Sequence, residues 1–313
     1  MDRVVLGRTG LSVSVAGLGG GGFSQLGLST GKTPAEAAAL VRRAVELRVN
    51  FIDTAESYGT EETIREGLRG VPRDAVVLST KKSAWKNGGP VTAAELVAGL
   101  EASLTRLGTD HVDVYHLHGL SPGAYDHAVA EWVPTLQRLK RQGKIRWIGV
   151  TESFEKDRGH AMLARAIPDG WPDVVMVGFN ILNPSARERV LAPAAAKGIG
   201  TLAMFVVRTA FSRPARLTEI LADLQDRGIL GPGLDRGDDP LGFVTREGGA
   251  ASLAEAAYRF CRHEPGMQVT LFGTGDPVHL EANVRSLTAP PLPEPVLARL
   301  RSAFGRVDDV SGQ

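Results

Sequence analysis

A chain of 313 residues is long enough to bury a large core and matches the size of a single α/β barrel domain. Hydrophobic residues make up 43 % and charged residues 23 %, as in globular proteins, and the net charge of +1 excludes a general attraction to nucleic acid or anionic lipid. The single cysteine, Cys261, excludes an intrachain disulfide and fits a reducing compartment.

The start, Met1-Asp-Arg-Val-Val-Leu6, carries no charged-then-apolar leader. No apolar run approaches the roughly 18–20 residues that span a bilayer, so a cytoplasmic protein is expected. Leu6-Gly-Arg-Thr-Gly-Leu-Ser-Val-Ser14 reads as a hairpin that turns at Arg8-Thr9-Gly10. Short apolar runs then recur at 14–19, 50–53, 76–80, 112–118, 146–150, 174–178, 200–205 and 268–272, with helical patterns between them. Thr33-Pro34-Ala-Glu36 is a capping box with proline at the first helical position. Thr92-Ala-Ala-Glu95, Ser185-Ala-Arg-Glu188 and Ser252-Leu-Ala-Glu255 repeat that start signal. Gly108, Gly143 and Gly198 stand where helices should stop.

Eight apolar runs separated by helices predict a (β/α)8 TIM barrel with an N-terminal β-hairpin, one domain over 1–313. The rival is an open, doubly wound sheet. Residues 228–249, rich in Gly, Asp and Pro, read as a loop, and 309–313 as a disordered tail. Gly17-Leu-Gly19-Gly-Gly-Gly22 satisfies the glycine fingerprint of dinucleotide folds, but no helix follows until Thr33. It reads better as a loop after the first barrel strand. Cys261, on a helix expected over 252–263, reads as a small buried residue.

Barrel enzymes place catalytic groups at the C-terminal ends of strands. Asp53 ends the second run, with Tyr58 in the loop after it; Lys81 ends the third and His118 the fourth. A phenol is a weak acid until perturbed, and a Lys81 ammonium held by Asp53 is expected to lower its pKa. His118 would polarise a carbonyl while Tyr58 protonates the developing alkoxide. Lys82 competes with Lys81 for its role. His116 and His118 share a strand face, so a metal site with Asp53 is a weaker alternative. Phe23, Trp85 and the loop Leu120–Tyr125 are candidates to line a substrate pocket.

These residues carry a resemblance to the aldo-keto reductase family, from about Leu6 to Leu287. The matching pieces are Leu-Gly-Arg-Thr-Gly, Phe51-Ile-Asp-Thr-Ala-Glu-Ser-Tyr-Gly59, Ser-Thr-Lys81, Asp-Val-Tyr-His-Leu-His118 and Lys144-Ile-Arg-Trp-Ile-Gly-Val150. Later come Phe179-Asn-Ile181 and Phe272-Gly-Thr-Gly-Asp-Pro-Val-His-Leu-Glu-Ala-Asn283. The resemblance implies a (β/α)8 barrel, reversible carbonyl–alcohol chemistry, no metal, and NADP(H) or NAD(H) bound across the strand C-termini. Its catalytic tetrad maps onto Asp53, Tyr58, Lys81 and His118.

It further implies that Thr151 and Glu152 stand where Ser-Asn usually holds the nicotinamide carboxamide, Met176 where a glutamine helps, and Phe179 where a tyrosine stacks. Glu152 and Met176 depart from that pattern and point to a rebuilt or weakened anchor. The adenosine-phosphate site maps to Gly273–Asn283, including Gly275, Asp276, His279 and Asn283. Asp276 replaces a favourable neighbour of a 2′-phosphate and leans the choice towards NADH, with Arg208, Arg213 or Arg285 able to compensate. Asp276-Pro277 also reads as an ordinary N-cap pair. The reading is therefore an NAD(P)(H)-dependent reductase or dehydrogenase of a small carbonyl or alcohol. A cofactor-binding sensor on the same fold, and a metal-dependent hydrolase using His116 and His118, are the alternatives.

Overall fold

The structure, a computed structural model, describes every residue except 87, 88, 236 and 238. Strand β1 (Arg3–Val5) pairs antiparallel with β2 (Ser12–Ser14) in the expected hairpin. Gly7 in its turn has a φ of +49°, and a Cβ there would lie 2.3 Å from the Gly200 amide nitrogen, so only glycine fits. The barrel strands are β3 (Ala16–Gly19), β4 (Phe51–Asp53) and β5 (Val77–Ser83); then, after the small ribbon of β6 (Trp85–Lys86) and β7 (Gly89–Pro90), come β8 (Val112–Leu120), β9 (Ile145–Glu152), β10 (Val174–Gly178), β11 (Gly200–Met204) and β12 (Val269–Phe272). They form one closed parallel barrel. Ala16 pairs with Thr270 and Leu18 with Phe272, which closes the sheet and removes the open-sheet rival.

Strands buried on both faces read as unbroken apolar runs, and β10 shows why. Val174 and Met176 join an inner cluster with Phe51, Val77, Val114, Leu202 and Val269. Val175 and Val177 pack outward against the helices. Leu6, Leu11 and Val13 of the hairpin join the inner cluster and seal the N-terminal end of the barrel.

Thr33 and Thr92 form reciprocal capping boxes with Glu36 and Glu95 on the helices Pro34–Glu46 and Ala93–Leu107. Each such cap contributes about 1 kcal/mol. Ser252 caps Leu253–Arg262 through the Glu255 amide. Ser185 does not act as a cap. The turn Arg187–Leu191 starts without a side-chain cap, because the Ser185 hydroxyl is spent on Asn183 and His160.

Residues 309–313, expected to be disordered, are instead held against the barrel. Buried Asn183 donates to the Val310 carbonyl at 2.9 Å, buried Asn180 to that of Ser311 at 3.1 Å, and the Ala210 amide to that of Gly312 at 3.0 Å. Arg227 pairs with the Asp309 carboxylate as well, so both backbone and side chains of the tail are held by residues distant in sequence. The described residues of 228–249 are largely irregular as expected, but they are pinned to the helix Glu294–Phe304. The Gly231 amide donates to the Ala303 carbonyl at 2.9 Å, and Arg299 to the Gly233 carbonyl at 3.0 Å.

Candidate active site

Asp53 is the last residue of β4 and lies in register with Ser79, while Lys81 is opposite His116 and Ser83 opposite His118. Period two puts Asp53, Lys81 and His118 on the same strand faces as Phe51, Val77 and Val114, which point inward. The strands run past the expected ends, β5 to Ser83 and β8 to Leu120. The four residues still converge inside the C-terminal mouth, with Tyr58 reaching in from the one-turn helix Glu56–Tyr58.

Lys81 is buried, and its ammonium donates to Asp53 Oδ2 at 2.6 Å and to the Thr54 carbonyl at 2.8 Å. Ser79 donates to the other Asp53 oxygen at 2.8 Å. The Lys81 ammonium stands 5.0 Å from the Tyr58 ring centroid, and the Tyr58 hydroxyl lies 3.3 Å from His118 Nε2. Burial works against the Lys81 charge, yet Asp53 and Tyr58 together raise its pKa, so it stays an ammonium. Burial, and then Lys81, push His118 down to about 3, so it is a neutral imidazole at pH 7. The expected fall in the Tyr58 pKa does not occur: burial raises it, Lys81 pulls it down less than that, and Asp53 adds to the rise. Tyr58 is therefore held as a protonated donor.

The glycines after β3 make room for this tyrosine. A Cβ at Gly21 would lie 2.3 Å from Tyr58 Cε2. Gly21→Ala is expected to displace the ring and lower kcat about 100-fold, since small misplacements of reacting groups cost that much. Steady-state kinetics would check it, and an unchanged kcat would mean the ring has slack.

Lys82, the rival to Lys81, points to the other face and pairs with Glu56 at 2.6 Å. His116 is buried in the barrel interior, and neither ring nitrogen has a hydrogen-bond partner among the described residues. Among the described residues no three His, Cys, Asp or Glu side chains gather as a metal set. Cys261 is buried with its thiol pushed well up by burial, and donates to the Phe179 carbonyl at 3.4 Å.

The cofactor candidates divide. Thr151 and Met176 pair in register and both face inward at the floor of the mouth. Thr151 Oγ1 accepts from the Gly119 amide at 2.7 Å, which leaves its own hydrogen for an amide oxygen. Glu152 faces the other way, fully buried on His160 and the Gly178 amide, so it does not reach the floor. Phe179 also faces outward, fully buried, and stacks on Phe260 at 5.5 Å. It cannot be a stacking platform at the mouth. The half-exposed ring there is Phe205, directly after β11, with Arg208 4.1 Å from its centroid. The strand-end rule that found Asp53 and Lys81 applies to Phe205 as well.

Asp276 caps the helix Pro277–Thr288: its Oδ1 accepts from the Val278 amide at 2.7 Å and the His279 amide at 3.4 Å, and these bonds lower its pKa. Gly275 packs on Gly27, where a Cβ would meet the Gly27 Cα at 2.5 Å, so this loop and the one after β3 interlock. Gly273, His279 and Arg285 are exposed and Asn283 is half-buried beside them. Arg213 is exposed, and Arg208 donates to Gln313 Oε1 at 2.7 Å. Phe23, on the loop after β3, is 89 % exposed, and Trp85, on β6, is 49 % exposed. They rim the mouth without lining a closed pocket. Tyr125, by contrast, is buried among the helices and donates to Asp169, so it is not a mouth residue.

The closed parallel barrel thus holds a buried Lys–Asp pair beside a tyrosine and a neutral histidine at its mouth. The Aldo/keto reductase family model matches residues 17–304, and the chain belongs to that family. It is 36 % identical over 204 residues to L-galactose dehydrogenase of Arabidopsis thaliana, covering 63 % of this chain and 62 % of that one. It is 29 % identical over 215 residues to the NADH-specific methylglyoxal reductase of Escherichia coli, covering 61 % and 63 %. The chain thus spans less than two thirds of these relatives' length. The fold matches that of aldo-keto reductase AKR11C1 from Bacillus halodurans over the whole of both chains, with a TM-score of 0.75 at 22 % identity.

Proposed function

We propose that this chain reduces a small aldehyde or ketone to an alcohol, or runs the reverse reaction, with a nicotinamide cofactor. The observation that carries the reading is the Lys81 ammonium, bound to Asp53 at 2.6 Å and set 5.0 Å from the Tyr58 ring centroid. NAD(P)H, when bound, supplies the hydride. Neutral His118 donates a hydrogen bond to the carbonyl oxygen and so draws charge onto it. Tyr58 hands its proton to that oxygen as the negative charge builds. The ammonium of Lys81 stabilises the phenolate left behind, and Asp53 with the Thr54 carbonyl fixes its direction. In the oxidation the same groups work in reverse. Thr151, with a hydroxyl hydrogen to spare over the apolar floor of Met176, fits the carboxamide end of the cofactor.

The Asp276 carboxylate already takes the first amides of the helix Pro277–Thr288 and is held ionised there, which supports a preference for NADH over NADPH. One buried cysteine fits a cytoplasmic setting, and among the described residues no helix is long and apolar enough to cross a membrane.

Loss of cofactor absorbance with a panel of small aldehydes, ketones and sugar-derived carbonyls tests the activity. No turnover in either direction across the panel would overturn it. Titration with both cofactors tests the preference. NADH is expected to bind at least as tightly as NADPH, and Asp276→Ser to shift the ratio towards NADPH by about tenfold or 1.4 kcal/mol. NADPH binding more than about tenfold tighter to the unaltered chain would refute the role of Asp276.

A further inference from the structure

Glu152 belongs to a buried cluster that the reaction above does not use. Its side chain and that of His160 are both 0 % exposed. Both carboxylate oxygens lie 3.0 Å from His160 Nδ1, and Oε1 also accepts the Gly178 amide hydrogen at 2.7 Å. On the far side of the ring, His160 Nε2 lies 3.1 Å from Ser185 Oγ.

Serine, histidine and glutamate in this order are the parts of a hydrolytic triad, but the protons run the wrong way for one. Asn183 spends both amide hydrogens on the Arg158 and Val310 carbonyls, at 3.2 and 2.9 Å. Its Oδ1 therefore faces Ser185 and accepts the hydroxyl hydrogen at 2.6 Å. Ser185 has no hydrogen left for the imidazole, so His160 Nε2 donates to it. Through Nδ1 the same ring faces a carboxylate. One hydrogen is shared between that nitrogen and the Glu152 carboxyl, whose pKa burial raises.

The pair supports an aromatic stack that reaches the barrel mouth. Buried Phe154 lies face-on to His160, with centroids 5.5 Å apart and 14° between the planes. It also covers Gly178, where a Cβ would come within 2.2 Å of the ring. Phe154 meets Phe205 at 5.2 Å and 73°, and Phe205 carries the Arg208 guanidinium. His160 and Phe205 both sit at positive φ, +64° and +63°, which a non-glycine residue keeps only where its surroundings impose it.

We propose that Glu152 and His160 are positioning residues for the nicotinamide cofactor: the buried pair sets Phe154, and Phe154 sets the Phe205–Arg208 wall of the cofactor site. The proposal rests on the cofactor reading above. A carboxylate that looks out of place in a carboxamide anchor is here a support one layer beneath the site.

The test is a cycle of variants in the full chain, read as NADH affinity from quenching of tryptophan fluorescence. Glu152→Ala is expected to weaken binding about tenfold, Phe154→Leu by a similar factor, and the double variant no more than the weaker single one, since both act along one path. Glu152→Gln, which still accepts from Gly178 and can donate to Nδ1, should recover most of the affinity. A lower unfolding temperature with unchanged NADH affinity, or additive losses in the double variant, would each overturn the proposal. If Glu152→Ala does not fold, Phe154→Leu and Glu152→Gln decide it. Failure of the unaltered chain to bind either cofactor would instead remove the functional reading, and this inference with it.

Discussion

Tyr58→Phe is expected to slow carbonyl reduction by about 10²- to 10⁴-fold, the range a positioned general acid supplies, while cofactor affinity is unchanged. The substitution removes one oxygen and leaves the ring against Gly21. Single-turnover kinetics and a cofactor titration separate the two effects, and retained turnover would refute the acid role. The pH profile adds a second readout. Because burial holds His118 near 3, reduction should show no break around 6.5. With Tyr58 held above its ordinary 10, reduction should decline only in alkaline solution, and oxidation should rise over the same range. The stability signs follow. The depressed His118 value destabilises the fold as pH falls from about 6.5 towards 3, whereas the raised Tyr58 value stabilises it at neutral pH and is lost as pH climbs through that value.

Lys81→Met should cost turnover on the same scale and stability as well. Asp53 would be left buried without its cation, and breaking a buried pair costs about 3–5 kcal/mol. Denaturant unfolding would measure that loss beside the kinetics. Lys82→Met is the control, since Lys82 serves Glu56 on the outward face. It should keep most of the turnover, and the opposite ranking of the two variants would show that the ammonium has been assigned to the wrong lysine.

The eight barrel strands were legible because each is buried on both sides and so reads as an apolar run. The placement of Asp53, Lys81 and His118 at the mouth was legible because a titratable residue at the end of such a run is a local signal. What failed was mostly parity. Met176 and Phe179 differ by an odd number along one strand direction, and Thr151 and Glu152 are adjacent, so neither pair can point the same way. Family resemblance placed all four at the cofactor, and the strand period sends Phe179 and Glu152 outward. The Tyr58 pKa needed the depth of the hydroxyl, which no spacing encodes. The contacts of the tail from 309 were not legible because their partners, Asn180, Asn183 and Arg227, lie far away in sequence.

The pairing of β3 with β12 also bears on how the protein is made. Ala16 emerges from the ribosome long before Thr270, its partner across the closing seam. Until then the first barrel strand presents an unpaired edge, the kind of surface that templates association between nascent chains. Such distant pairing slows folding, because a very long loop must close before the seam forms. Expression yield in the cell should therefore depend on chaperone supply more steeply than the finished barrel's stability would imply.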